Sequence, residues 1–134
     1  MTAASPAHQR HVICMKWGTK YGPEYVNRLY AMVRRHLSGG FHFVCLTDDS
    51  KGIRPEVQCL PIPALDLPAG IPERGWTKLA TFSADLHGLR GTALFLDVDV
   101  VITGSLDDFF TQPGEFLIIH DYKRPWRITG NSSV

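Results

Sequence analysis

The sequence has no apolar run near the roughly 20 residues that a membrane-spanning helix needs, and its start, Met1 to Arg10, lacks the apolar stretch of a secretory leader. Both absences point to a cytoplasmic protein without a transmembrane segment. Neither sign of charge is in excess: 14 basic residues stand against 13 acidic ones, for a formal net charge of +1. A field that weak recruits neither nucleic acid nor an anionic membrane, so any anionic ligand must be held by local groups. Cysteine is scarce and odd in number, with Cys14, Cys45 and Cys59 each inside a strand-like segment and without metal-ligand spacing. That pattern argues against a zinc site and for buried free thiols. Internal repeats and low-complexity tracts are also missing.

What is present is the composition of a folded domain. The chain has 134 residues, 44% of them hydrophobic and 20% charged. A chain of this length buries about two thirds of its unfolded surface in one core. Residues 1–10 read as a flexible N-terminus and residues 11–134 as one domain.

His11 to Lys16 reads as a first strand and Trp17-Gly18-Thr19-Lys20-Tyr21-Gly22 as the loop leaving it. Pro23 suits a first helical position, and Val26, Leu29, Tyr30, Val33 and Leu37 fall on one helical face. Arg34, Arg35 and His36 crowd the last turn, where cations complement the helix dipole, and Gly39-Gly40 ends the helix. Phe41 to Thr47 is a second strand, stopped by the turn residues Asp48-Asp49-Ser50, and Val57 to Ile62 a short third one. Strand, helix, strand implies a parallel α/β sheet. Pro61 to Gly75 is a long Pro/Gly-punctuated loop. Thr77 to about His87 is predicted as a second helix, with Leu79, Phe82, Leu86 and Leu89 toward the core. Ser105-Leu106-Asp107-Asp108 resembles a capping box before a short turn through Phe109-Phe110, and Phe116 to His120 a further strand ending in His120-Asp121. Here the histidine reads as structural. Ile128 to Val134 has the look of the start of another strand, as though the chain stopped mid-fold.

Leu94 to Ile102 carries the chemistry. It reads as a buried strand that contains Asp97 and Asp99. Unpaired charge in an apolar setting costs several kcal/mol, so two acids in such a run call for a cation, a phosphate-metal complex or an acid/base pair. On a strand they share one face about 6 to 7 Å apart, within reach of one divalent ion. The other reading is a strand that breaks at Asp97 and leaves two solvated turn carboxylates. In an open α/β sheet, ligands collect beyond the carboxyl ends of the strands, where the first loop, Asp48-Asp49 and the Asp-x-Asp pair converge. Two carboxylates repel a diphosphate unless Mg²⁺ or Mn²⁺ bridges them.

Taken in order, Trp17 to Gly22, Leu46-Thr47-Asp48-Asp49, Gly75-Trp76-Thr77-Lys78-Leu79, Leu94 to Ile102 and Gly104-Ser105-Leu106-Asp107-Asp108 resemble the nucleotide-sugar-binding half of a GT-A glycosyltransferase, similar to bacterial members near glycosyltransferase family 8. The resemblance implies a partial, Rossmann-like GT-A fold, a mostly parallel sheet flanked by helices, truncated at the C-terminus. It implies a metal site at Asp97 and Asp99 filled by Mn²⁺ or Mg²⁺. It also implies donor contacts from Thr19, Lys20, Tyr21, Lys78, Asp97 and Asn131, with Ser132 nearby, and a UDP-sugar donor passed to a glycan or other hydroxyl acceptor. No catalytic residue is assigned. Family members complete the metal site with a later histidine and build the acceptor pocket from a C-terminal half that this chain does not reach.

Two other readings compete. A haloacid-dehalogenase-type phosphatase would use Asp97 as nucleophile and Asp99 as acid/base, although such a strand normally opens its domain and is followed by Gly-Thr or Gly-Val rather than Val100-Val101. A non-catalytic nucleotide-binding or interaction module on the same scaffold is the third.

Overall fold

In the computed structural model, the structure describes residues 9–70, 76–124 and 126–134, so most of the expected flexible N-terminus and the Ile71 to Gly75 part of the long loop lie outside the described residues. β1 spans Arg10–Lys16, α1 Pro23–His36, β2 His42–Thr47, β3 Gln58–Leu60 and β4 Thr92–Phe95. They form a four-stranded sheet in the order β3-β2-β1-β4, with every pair parallel. The α/β expectation and the Rossmann-like parallel core are therefore met.

The central strands β1 and β2 are buried on both faces, as near-continuous apolar strands require. Val12, Cys14, Phe43 and Cys45 face α1, which lays Val26, Leu29 and Val33 on them, all three fully buried. Each such side chain contributes about 1.5–3 kcal/mol of burial. Ile13, Met15, Val44 and Leu46 face the other way, onto Ala80 and partly buried Leu60, Ile62, Leu65, Leu86 and Leu89. Helix α1 starts at Pro23 without a side-chain cap and closes with the Leu37 N–H on Val33 O, before Gly39 takes a positive φ of 77°. Asn27 ties it to the β2–β3 connection, donating to Gly52 O at 3.0 Å and accepting from Arg54 N at 2.9 Å.

Three expectations need correction. The strand predicted from Leu94 to Ile102 ends at Phe95. Leu96 N still reaches Ile13 O at 2.9 Å, but Asp97 N turns to Ser133 O and Val100 N folds back to Asp97 O at 3.3 Å. The period of two nevertheless persists, because Leu94, Leu96 and Val98 are buried, and Val100 and Ile102 pack beside them. The second helix is a 3-10 segment over Trp76–Phe82 rather than an α-helix to His87. Ser83 closes on Ala80 O through both its N–H and its hydroxyl, and His87 and Gly88 sit at positive φ, where a right-handed helix cannot pass. Only Ala80 is buried in that segment; Leu79 and Phe82 are exposed. Finally, the strand expected over Phe116 to His120 shrinks to Ile119–His120 (β5), paired antiparallel with Gly130–Asn131 (β6), while Phe116, Leu117 and Ile118 are exposed.

The predicted capping box is partial. Ser105 Oγ accepts from Asp107 N at the start of a 3-10 turn over Asp107–Phe110, whose cap is Leu106 without a side-chain cap bond, and the Asp107 carboxylate accepts from Ser38 N at 2.8 Å. Leu106 N donates to His36 O at 2.8 Å, so this turn is fastened to the end of α1.

Candidate functional site

The carboxyl ends of β1, β2 and β4 open on one side of the sheet, as parallel pairing dictates. The loop after β1 carries Thr19 and Lys20, both exposed, and half-buried Tyr21. Asp48, just past β2, braces that loop by accepting from Gly18 N at 3.0 Å, with Gly18 at a φ of 65° that suits glycine. Asp49 serves turn chemistry, its carboxylate accepting from Lys51 N at 2.9 Å.

Asp97 and Asp99 follow β4 by two and four residues; Asp97 is half-buried and Asp99 exposed. Neither stands alone. Lys78 Nζ is 2.7 Å from Asp97 Oδ1, a pair whose side chains are each about one quarter exposed (25% and 23%). The same Nζ reaches Ser132 O at 3.4 Å and lies 5.8 Å from the centre of the Phe95 ring. The Tyr21 hydroxyl donates to Asp99 Oδ2 at 2.9 Å. That bond, followed by burial and by the charges of Asp99 and Asp97, pushes the Tyr21 phenol above its ordinary value. The acids lie on a turn, closed by Val100 N on Asp97 O, and not on the alternating strand that the sequence suggests.

Of the sequence-predicted residues, the fold gathers Tyr21, Lys78, Asp97 and Asp99 into one polar cluster. Asn131 stands at its edge, its Oδ1 accepting from Ser133 N at 3.0 Å while Ser133 O takes the Asp97 N–H. Lys20 makes no contact with the acids in this arrangement; its Nζ stands 5.3 Å from the centre of the Tyr21 ring, and an edge contact with Tyr25 at 4.8 Å holds that ring from another direction. His120 lies apart, bonded to Arg127 O at 2.9 Å, in keeping with a structural histidine. Sequence reasoning missed a groove of about 350 Å³ that runs from Asp99 along α1 between Tyr25, Arg28, Met32 and Arg35. The seven-residue spacing of Arg28 and Arg35, two turns of one helix face, was the available signal.

Mg²⁺ and Mn²⁺ are hard cations that take one or two carboxylates from a protein and fill the remaining positions with water and phosphate oxygens. Asp97 and Asp99 are two carboxylates of that kind, each held here by a protein partner, Lys78 and Tyr21. Among the described residues no group of three or more His, Cys, Asp or Glu side chains is placed to hold a metal. Two carboxylates alone are too few for a metal centre built from protein ligands, so an ion held there would need further ligands such as phosphate oxygens.

No family model matches the chain, and neither a curated protein nor a solved structure does. Among the described residues no helix is long and apolar enough to cross a membrane.

Proposed function

We propose that this chain is the donor-binding part of a metal-dependent glycosyltransferase, holding a nucleoside diphosphate sugar at the carboxyl end of its parallel sheet. The observation that carries the reading is the meeting of Asp97 and Asp99 with Lys78 and Tyr21 from two other segments. Carboxylates can share a divalent ion with the phosphates of a nucleotide, and a neighbouring cation can take a further phosphate oxygen. Asp97 and Asp99 would hold the ion, which supplies neutralisation of charge on the departing diphosphate. Lys78 would turn from Asp97 to a phosphate oxygen. Tyr21, with Thr19 and Lys20 beside it, would line the base and ribose. Asn131 and the Ser132 carbonyl would approach the sugar. A UDP-sugar is the expected donor and a glycan hydroxyl the expected acceptor.

Calorimetry with UDP, GDP and CDP, each with and without Mn²⁺, tests this. The expected result is UDP binding that requires Mn²⁺ and is lost in Asp99→Asn. Binding that is indifferent to Mn²⁺, or that survives Asp99→Asn unchanged, overturns the reading. Trapping of a phosphate analogue on Asp97 would transfer the site to the phosphatase class.

A further inference from the structure

The cysteines make a pattern that the donor site does not use. Cys14 on β1, Cys45 on β2 and Cys59 on β3 are in direct register across three adjacent parallel strands, Cys14 opposite Cys45 and Cys45 opposite Cys59. In-register residues of parallel strands point to the same face, and all three lie in or against the cluster under α1. All three are free thiols. Strands sit about 4.8 Å apart, so the outer two thiols are separated by roughly twice that distance and the row cannot close around one ion. Only neighbours can react with each other, and Cys45 is the neighbour of both. Adjacent Cα atoms at strand spacing fall inside the window of about 4.4–6.8 Å that a disulfide spans.

We propose that Cys59 and Cys45 form a reversible oxidation site, in which a hydroperoxide oxidises Cys59 and Cys45 then closes a cross-strand disulfide.

Three features select this pair. Cys59 is partly exposed, whereas Cys14 and Cys45 are fully buried. It lines a cavity of about 230 Å³ with Thr47, Asp48, Ser50, Leu60 and Pro61, large enough to admit a peroxide. β3 is a three-residue edge strand bonded only to β2, so it has freedom to bring the two Cβ atoms to bonding distance, while β1 is clamped on both sides by β2 and β4. Cys45 is equipped as the resolving thiol. Cys14 beside it and Lys16, only 5% exposed and on the same face, hold Cys45 below its ordinary range against the opposing effect of burial. Burial pushes the Cys59 thiol up, so the first step quickens as pH rises.

The chemistry balances. The Cys59 thiolate attacks one peroxide oxygen, the O–O bond breaks, and a sulfenic acid and hydroxide (or an alkoxide) form. The Cys45 thiolate then attacks Cys59 Sγ, the S–O bond breaks and hydroxide leaves. The two thiols lose two electrons, and the peroxide gains them.

The test is to treat the chain with hydrogen peroxide, alkylate the remaining thiols and map peptides by mass spectrometry; Lys16 and Lys51 put the three cysteines on separate tryptic peptides. Free thiols should fall from three to one. A Cys45–Cys59 linked pair should appear, Cys14 should remain alkylated, and dithiothreitol should restore all thiols. Cys59→Ser should leave Cys45 and Cys14 unmodified at the same dose, and Cys45→Ala should leave a Cys59 sulfenic acid that dimedone traps. A Cys14–Cys45 pair, a dimer linked through Cys59, sulfinic acid on Cys59 with Cys45 still free, or no thiol loss each overturns the proposal.

Discussion

Lys78 and Asp97 form a 2.7 Å ion pair that joins the 3-10 segment to the residues just beyond β4. In the proposed donor complex the lysine and the metal compete for that carboxylate when no nucleotide is present, and cooperate once phosphate gives Lys78 another partner. Replacing Lys78 by Met keeps the apolar stem beside Phe95 and removes the charge. An ion pair at this exposure is worth up to about 1 kcal/mol, so Mn²⁺ alone should bind about fivefold more tightly to Lys78→Met. UDP in the presence of Mn²⁺ should bind more weakly. Calorimetric titrations of both variants measure the two effects; equal shifts of the same sign would contradict the exchange.

Tyr21 offers the parallel test on the second acid. Its hydroxyl holds Asp99 Oδ2 at 2.9 Å, a bond that a metal ion would replace. Tyr21→Phe deletes the hydroxyl while keeping the ring and its edge contact with Tyr25. Net hydrogen-bond energies of about 0.5–1.5 kcal/mol predict a gain of about two- to twelvefold in affinity for Mn²⁺ alone. Weaker Mn²⁺ binding would instead make the hydroxyl an organiser of Asp99.

How much of this was legible in the sequence depends on the range of the interactions involved. The α1 face was readable because Val26, Leu29 and Val33 repeat at helical spacing, and the Leu94 to Ile102 alternation correctly put Leu96 and Val98 inside. A strand that breaks at Asp97 was the alternative reading, and it is the one found: pairing with β1 stops there, with Asp97 N on Ser133 O, 36 positions away, and Asp99 exposed in a turn. The 3-10 segment has the apolar content of a helix, but His87 and Gly88 at positive φ and Ser83 closing on Ala80 decide against one. The Lys78–Asp97 and Tyr21–Asp99 pairs are long-range contacts that no spacing rule supplies.

That difference between the two helical segments has a measurable consequence for stability. Leu29 is fully buried under α1, whereas Leu79 is 45% exposed. Leu29→Ala should lower unfolding free energy by about 2–5 kcal/mol, through lost burial and the cavity left behind. Leu79→Ala should change it by only about 0.5 kcal/mol. Urea denaturation with unchanged slope checks both, and a large loss at Leu79 would restore a core-facing helix there.

Asp107 sets the acid limit of one long-range junction. The N–H of Ser38 holds its carboxyl below the ordinary value of 3.8, with Ser105 and the Arg10 charge assisting, and the adjacent Leu106 N bonds His36 O. A carboxylate depressed in the folded state adds stability that is complete above its unfolded value and disappears as pH falls through its folded one. Asp107→Asn removes the charge while keeping the shape, so it mimics the protonated side chain. The variant should therefore melt below the wild type at pH 7, and the gap should close as pH drops from about 4 downward. Thermal midpoints of both proteins between pH 7 and pH 2.5 give the comparison. A gap that stays constant across that range would mean that Asp107 acts through packing, and that the junction between the end of α1 and the 3-10 turn does not depend on its charge.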